Sequence, residues 1–231
     1  GGFGVKATSL AGYSPAVQYV VSIFLFLSGI NYNFFFFMWI KRFKEAISME
    51  EVRGYIIVFW IAVVFITGNI IGKGFSGEEA FRHAFLQVGS IITTAGFAST
   101  DFDLWPSFSK TILLGLMVVG ACAGSTGGGL KISRIVLLFK TARRELKRQL
   151  HPRLVAQIQM DDKTVDENVL RNINSYLAIF CMVGIGSLLI VSLDQCSFTT
   201  NFTAVVACMN NVGPGLDVVG PTGAFGGFSM L

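Results

Sequence analysis

The residues best placed to do chemistry are main-chain carbonyls in the stretch Val88–Thr100, which reads VGSIITTAGFAST. An apolar run ends there in TTAGF, and Gly96 can adopt backbone dihedral angles that are closed to residues with a side chain. A turn of this kind can point successive carbonyl oxygens toward one line, where they can replace the water around a potassium ion. The stretch therefore supplies four candidate potassium ligands through the oxygens of Thr93, Thr94, Ala95 and Gly96.

The same pattern, a glycine that ends an apolar hairpin, occurs twice more. It stands at the start of the chain as GGFG (residues 1–4) and near its end as MNNVGPG (residues 209–215). A plain turn between two helices would explain one copy equally well, but three copies favour an ion-conducting protein built from divergent repeats. The additional candidate ligands are Gly1, Gly2, Asn210, Asn211, Val212 and Gly213.

The composition is typical of a protein embedded in a membrane. Of the 231 residues, 52% are hydrophobic and only 14% are charged. A helix needs about 20 apolar residues to cross the hydrocarbon core of a bilayer. Four uncharged stretches approach or exceed that length: Ala16–Ile40, Gly54–Gly72, Thr111–Leu130 and Asn172–Leu193. The sequence therefore predicts an all-α, multi-pass membrane protein with the lipid bilayer around it.

The distribution of charge predicts which side of the membrane each loop faces. The net charge is +4, and the basic residues cluster in Lys41–Arg53 and Lys131–Arg153, whereas the loops that carry the glycine hairpins are richer in acidic residues. Cytoplasmic loops collect Lys and Arg, so we expect the basic clusters inside and the hairpins outside. A basic helix that binds RNA is an alternative. Because the membrane rule already accounts for the charge, no nucleic-acid partner is predicted.

For the first half of the chain, the sequence predicts membrane-spanning helices followed by a shorter helix that does not span. We expect one span over Ala16–Ile40, a cytoplasmic turn over Lys41–Glu51 and an outward span over Gly54–Gly72. The next helix, Glu78–Ile92, is too short and too polar to span. It is expected to descend halfway as a pore helix, surrounded by protein. Ser76 is its candidate N-cap.

The second half repeats this order. A return helix begins near Ser107, after Trp105 at the outer interface, and Asn168–Leu193 forms the next outward span. Gln195–Met209 is a second pore helix, and Asn210–Gly215 is its hairpin. Each unit therefore reads helix, pore helix, glycine hairpin, helix. The predicted division is the end of one unit over residues 1–50, a whole unit over 51–150, and a unit without its last helix over 151–231.

The glycine-rich segment Gly120–Gly129, GACAGSTGGG, interrupts the third helix where it should be crossing the membrane. Each glycine destabilises a helix by about 1 kcal/mol relative to Ala, so the helix should break there. Close helix packing through GxxxG is the alternative, but it needs glycine on one face only. A phosphate-binding P-loop is excluded because Leu130, rather than Gly, precedes Lys131.

These motifs together resemble the Trk/Ktr/HKT superfamily of potassium transporters, most closely the bacterial Trk-type pore subunit. The resemblance rests on TTAGF (93–97), GACAGSTGGGLK (120–131), RELKRQLHP (144–152) and NNVGPG (210–215). It covers essentially the whole chain. It implies four repeats in one polypeptide, arranged as a pseudo-fourfold, potassium-channel-like pore in which each hairpin supplies a quarter of the selectivity filter.

The resemblance also implies a gate. In this family the glycine-rich segment is an intramembrane loop that restricts the pore below the filter. The implied gate residues are Gly120, Ala121, Cys122, Ala123, Gly124, Ser125, Thr126, Gly127, Gly128, Gly129 and Lys131.

The family further implies potassium as the transported ion, by passive or ion-coupled uptake (symport). It implies a homodimer, a cytosolic ring of nucleotide-binding regulatory subunits, and a location in the cytoplasmic (inner) membrane of a bacterium. By the same resemblance, the chain is expected to be a fragment of a longer polypeptide that also holds a first repeat and a last inner helix.

Other classes of function compete with potassium transport. A membrane enzyme would need a carboxylate pair, a nucleophile with its base or a metal cluster inside the spans. The predicted spans contain no ionisable acid, base or histidine, so no enzyme is predicted. A relative permeable to both Na⁺ and K⁺ and a non-conducting scaffold subunit both stay open.

Several polar residues outside these motifs have more than one interpretation. Asp101 and Asp103 either concentrate cations at the pore mouth or are solvated loop residues. His83 is expected to be a hydrogen-bonded residue of the pore helix rather than a metal ligand, because no second His or Cys stands at metal-binding spacing. The four cysteines form no CxxC pair and are expected to be small buried residues: Cys122, Cys181, Cys196 and Cys208.

Overall fold

The computed structural model describes residues 9–151, 157–223 and 225–228. Over these residues the prediction of an all-α architecture is confirmed, since a single two-stranded ribbon, β1 (Gln159–Met160) and β2 (Lys163–Thr164), is the one sheet present. The helices are α1 (Pro15–Ser28), α2 (Tyr32–Trp39), α3 (Phe43–Ser48), α4 (Glu50–Ile70), α5 (Gly77–Ile92), α6 (Ser107–Val119), α7 (Ile132–Leu150), α8 (Glu167–Val191) and α9 (Phe198–Met209).

Two helices of the described chain, α4 and α8, are each long and apolar enough to cross a membrane. Helices α1 and α2 make a third candidate if they count as one span, although they are bent by 90° relative to each other. The prediction of one continuous spanning helix over Ala16–Ile40 is therefore wrong, because α1 ends at Ser28 and α2 begins at Tyr32.

The bend between α1 and α2 is held by the glycine-rich segment. Cys122 N donates to the oxygen of Gly29 at 3.1 Å, and Tyr32 N donates to the oxygen of Gly124 at 3.0 Å. The side chain of Asn31 caps the new helix by accepting a hydrogen bond from its first turn. Backbone groups that a continuous helix would pair internally are thus paired with a segment about 90 residues away in the sequence.

Two further boundaries differ from the predictions. The stretch Lys41–Glu51 is not a simple turn, because it contains α3 and because α4 already begins at Glu50. Glu51 therefore lies in the first turn of α4. The uncharged stretch Thr111–Leu130 is not one span, because α6 ends at Val119 and the residues after it are non-helical up to α7. The glycine content of that stretch correctly predicted this break.

Helix α5 is surrounded by protein, as expected for a pore helix. It packs against α1, α4 and α6, and nearly all of its residues from Ala80 onward are buried. Ser76 and Glu79 form a capping box at its start, each side chain accepting a hydrogen bond from the other residue's main-chain N–H. In the core, the rings of Phe59 and Phe85 meet edge to face with centroids 5.7 Å apart.

The structure bears on two predictions about individual side chains. Trp105 is buried against Phe102, and its place at the outer interface stays a prediction. Cys122 is buried as expected, but Cys181 and Cys208 are exposed. In both cases the sequence indicated an apolar environment but not which face of the element carries the residue.

The close contact at Gly29 leads to a first prediction. A Cβ atom there would collide with the hydroxyl of Tyr55 and come within 2.9 Å of the Thr93 methyl group. Tyr55 cannot move aside freely, because it is fully buried and donates a hydrogen bond to the oxygen of Phe26 at 2.9 Å. We expect Gly29→Ala to lower the free energy of unfolding by about 1–3 kcal/mol, the usual cost of overpacking.

The matched control is Gly68→Ala in α4, where a Cβ would meet nothing within 4 Å. This variant should be neutral or more stable by about 0.5–1 kcal/mol, because glycine disfavours helix interiors. The thermal midpoints of both variants, measured in detergent, test whether a side chain at position 29 destabilises the protein and one at position 68 does not. Equal midpoints for the two variants would show that the bend tolerates a side chain.

Candidate functional site

The first glycine hairpin turns back directly at the end of α5. Thr94 and Gly96 both have positive φ angles, 58° and 81°. Thr94 N donates to the oxygen of Ile91 at 3.1 Å, and Ala95 N donates to the oxygen of Ser90 at 2.8 Å. The segment after the hairpin is then held to α5 by the Ser90 hydroxyl, which donates to the oxygen of residue 97 at 2.6 Å.

The second hairpin repeats this geometry residue for residue at the end of α9. Asn211 and Gly213 have φ angles of 56° and 112° and thus correspond to residues 94 and 96. Asn211 N donates to the oxygen of Cys208 at 3.2 Å, and Val212 N donates to the oxygen of Ala207 at 2.9 Å. The spacings of these donors and acceptors match those of the first hairpin. The two hairpins are therefore copies of one backbone design.

The two hairpins meet at their glycines. A Cβ placed on Gly213 would lie 3.8 Å from the Cα of Gly96. Within the described residues, the carbonyl oxygens of 93–96 and 210–213 accept no hydrogen bond. Main-chain carbonyls buried in a protein are nearly always paired, so two adjacent sets of unpaired oxygens indicate a site for a cation or for water.

The third candidate hairpin, with Gly1 and Gly2, lies outside the described residues. The described chain that follows it runs beside the first hairpin. Leu10 N donates to the oxygen of Ala98 at 2.8 Å, and Ala98 N donates to the hydroxyl of Ser9 at 3.1 Å. The segment after residue 8 is therefore hydrogen-bonded to the chain that leaves the first hairpin.

The glycine-rich loop, residues 120–131, lies against the first carbonyl of both described hairpins. Gly128 N donates to the Thr94 hydroxyl at 2.8 Å. A Cβ on Gly128 would collide with the oxygen of Asn210, and one on Gly127 would lie 3.2 Å from the oxygen of Thr93. Only glycine permits this approach of one backbone to another.

The loop closes on itself at its ends. Leu130 N and Lys131 N donate to the oxygens of Val118 and Val119, each at 3.0 Å, and Gly120 adopts a φ angle of 69°. The ammonium group of Lys131 donates to the oxygens of two loop residues, 122 and 127. Because the segment is a closed loop and not a helix, the interpretation as GxxxG helix packing is wrong.

The structure adds one polar residue that the sequence analysis missed. Glu51, placed in a cytoplasmic turn by the sequence, is 4% exposed, and its carboxylate accepts hydrogen bonds from Ala123 N and from the side chain of Asn31. An acidic residue in the first turn of a helix is usually explained by the helix dipole, so the sequence carries no signal for this contact.

The remaining polar candidates have structural partners. The His83 ring lies 2.8 Å from the Ser99 hydroxyl, which confirms a hydrogen-bonded pore-helix residue. Asp101 accepts a hydrogen bond from Asp103 N, and the Asp103 carboxylate lies 3.4 Å from the ammonium of Lys110. No cluster of three metal-binding side chains occurs among the residues that the structure describes.

Comparisons with known proteins agree with one another. A family model described as TrkH, cation transport protein, matches residues 1–224. The Trk system potassium uptake protein TrkH of Escherichia coli K12 is 37% identical over 226 residues, which cover 95% of this chain and 46% of that protein. TrkH of Vibrio parahaemolyticus is 35% identical over 231 residues, with the same coverage of both chains.

A solved structure shows the same fold. The crystal structure of the potassium transporter TrkH from Vibrio parahaemolyticus superposes with a TM-score of 0.87 at 32% identity and covers 95% of this chain and 48% of that one. The chain thus spans about half the length of the relatives it matches. It has the fold of a multi-pass membrane protein, as the sequence predicted.

The contact between loop and hairpin leads to a second prediction. Thr94→Val keeps the shape of the side chain but removes the hydroxyl that accepts from Gly128 N. Leaving a buried donor without its partner should lower the free energy of unfolding by about 1–3 kcal/mol.

The control is Thr94→Ser, which keeps the hydroxyl and should stay close to the parent protein. Thermal unfolding of both variants in detergent measures the difference. If Thr94→Val proved as stable as Thr94→Ser, the loop would not depend on this hydrogen bond.

Proposed function

The chain belongs to the TrkH family of cation transport proteins, and we propose that it serves potassium uptake across a membrane through a filter of main-chain carbonyls. The observation that carries this proposal is the pair of matched hairpins at residues 93–96 and 210–213, whose carbonyl oxygens accept no hydrogen bond from the described residues. The names of the relatives, potassium uptake proteins, support K⁺ as the transported ion.

In this proposal the carbonyl oxygens of the filter replace the water molecules around the ion. Thr93, Thr94 and Asn210 are almost fully buried, so their carbonyl dipoles are shielded from bulk solvent. A cation that leaves its hydration shell regains oxygen ligands from such carbonyls, and several weak sites in a row allow it to move on. The two hairpins differ in sequence and share a backbone geometry, which a filter built from main-chain oxygens allows.

We further propose the division into repeats that the sequence suggested. Residues 51–150 form one complete unit of helix, pore helix, hairpin and helix, and residues 151–231 form most of another. Residues 1–50 end a preceding unit whose hairpin would include Gly1 and Gly2. Four such hairpins around one axis would make a closed ring of carbonyls.

The glycine-rich loop is the proposed gate. It packs against the carbonyl of Thr93 and the carbonyl of Asn210, the first residue of each hairpin. A segment there lies across the path by which an ion would leave the filter. Because it is closed by hydrogen bonds rather than covalently fixed, it can move aside as a unit.

Orientation and partners complete the proposal. Helix α7 carries basic residues to its last turn, Lys147 and Arg148, and basic loops lie on the cytoplasmic side of membranes. We therefore place α7 inside and the hairpins outside, in the cytoplasmic membrane of a bacterium. The family resemblance supports a homodimer with cytosolic nucleotide-binding regulatory subunits, and α7 offers such subunits a basic docking surface.

The filter glycines give a third prediction. Gly96 and Gly213 have φ angles that residues with a side chain rarely adopt. Gly96→Ser or Gly213→Ser in the complete transporter should therefore disturb the direction of the carbonyls. We expect at least about a tenfold loss in K⁺ over Na⁺ discrimination in ion-flux measurements on vesicles, since a disturbance of 1.4 kcal/mol has that effect.

Gly115→Ser in α6 is the control, because a Cβ there meets nothing within 4 Å. Unchanged selectivity in both hairpin variants would remove these glycines from the filter. Absence of K⁺ flux in the unmodified, folded transporter would favour a scaffold subunit, and equal Na⁺ and K⁺ flux would favour the non-selective relative.

The gate gives a fourth prediction. Deleting residues 123–128 from the complete transporter shortens the loop that lies against the first filter carbonyls. We expect a higher K⁺ flux per folded molecule and a weaker dependence on cytosolic regulators, with selectivity retained. Irregular backbone inside a membrane protein must be held by protein or water, so the amount of folded protein is measured alongside. A well-folded deletion variant with unaltered flux would contradict the gate.

A further inference from the structure

Glu51 is a buried carboxylate in the first turn of α4, with 4% of the residue exposed. Burying a charged group is costly unless it is hydrogen-bonded. The pore proposed above uses main-chain oxygens and gives this side chain no part. Its partners therefore indicate what it does.

The carboxylate joins two irregular segments that are far apart in the sequence. Its Oε1 atom accepts a hydrogen bond from Ala123 N in the glycine-rich loop. Its Oε2 atom accepts one from the side-chain amide of Asn31, 2.9 Å away, in the break between α1 and α2. The main chain of the break also pairs with the loop, through Gly29 and Tyr32. Glu51 thus ties the loop to the break.

The position of Glu51 is set by its neighbour. Glu50 binds the ammonium of Lys140 in α7, and its main-chain N–H donates to the Asp161 carboxylate at 2.7 Å. These contacts fix the first turn of α4 from the outside of the bundle. The next residue along the chain then points inward at the loop.

A carboxylate is suited to a contact that must break when the glycine-rich loop opens. The attraction of a buried charge for its partners is partly offset by the loss of its hydration, so opening such a contact to water costs less than the attraction alone would suggest. When water reaches the loop, the carboxylate regains its hydration and releases the N–H of Ala123. A loop held by apolar packing alone would have no comparable low-cost open state.

We propose that Glu51 is the latch of the glycine-rich loop: its carboxylate, held by Asn31, keeps the loop closed against the filter hairpins. Glu51 is in this sense a positioning residue, since it acts on the ion path only through the loop. The inference rests on the gate role in the proposed function, but the contact itself can be tested without ion flux.

Cys122 provides the readout, because its thiol is buried in the closed loop. The experiment uses the complete transporter in membranes, with every other cysteine replaced by Ser, and measures the rate at which a water-soluble thiol reagent modifies Cys122. Glu51→Gln should raise this rate at least about tenfold, the factor expected for the loss of one charge-assisted hydrogen bond. K⁺ flux per molecule should rise in parallel.

Asn31→Ala is the second variant, because it weakens the latch and leaves the carboxylate charge in place. A faster modification in Asn31→Ala therefore cannot come from a change of charge beside the thiol, and this variant also serves if Glu51→Gln does not fold. Glu45→Gln, at an exposed carboxylate in α3 that pairs with Arg42, is the matched control. It should change neither the modification rate of Cys122 nor the K⁺ flux.

The outcomes separate the two proposals. Unchanged modification of Cys122 in both Glu51→Gln and Asn31→Ala would overturn the latch, whether or not the protein transports K⁺. Faster modification with unchanged flux would support the latch and contradict the gate role of the loop. Faster modification together with higher, regulator-independent flux supports both.

Discussion

The structure depends on one constraint, the need to pair every backbone N–H and C=O group in places that water does not reach. Regular helices meet this need internally. The interior of this bundle, however, contains three kinds of irregular backbone: the two hairpins, the glycine-rich loop and the break between α1 and α2. The break and the loop supply hydrogen-bond partners to each other, and each hairpin finds the partners of its N–H groups in the helix that precedes it.

These partners form one connected system. The break pairs with the loop through Gly29 and Tyr32, and the loop pairs with the first hairpin through Gly128 and the Thr94 hydroxyl. Glu51 adds a charged contact between loop and break. A movement of the loop would therefore unpair groups at both of its ends. As the proposed gate, the loop would therefore have two discrete arrangements, paired and released.

The hairpin carbonyls are the exception to this pairing, and they are the proposed ligands of the ion. Their N–H groups are used to fold each hairpin back on its helix, whereas oxygens 93–96 and 210–213 find no donor among the described residues. An array of unpaired carbonyl oxygens is costly where water is excluded and favourable around a dehydrated cation. The same bonds that shape each hairpin thus leave these oxygens without a donor among the described residues, as the proposed filter requires.

The sequence by itself determined the elements and the motifs. Hydropathy placed the spans of α4 and α8, the capping residue Ser76 placed the start of α5, and the glycines of 120–129 predicted the break after α6, because each of these signals is local. Tertiary structure alone decided the 90° bend at Gly29, the approach of Gly128 to Asn210, and the burial of Glu51. Each of these joins residues far apart in the chain, and the groups that pair across such distances leave no periodic or local signature in the sequence.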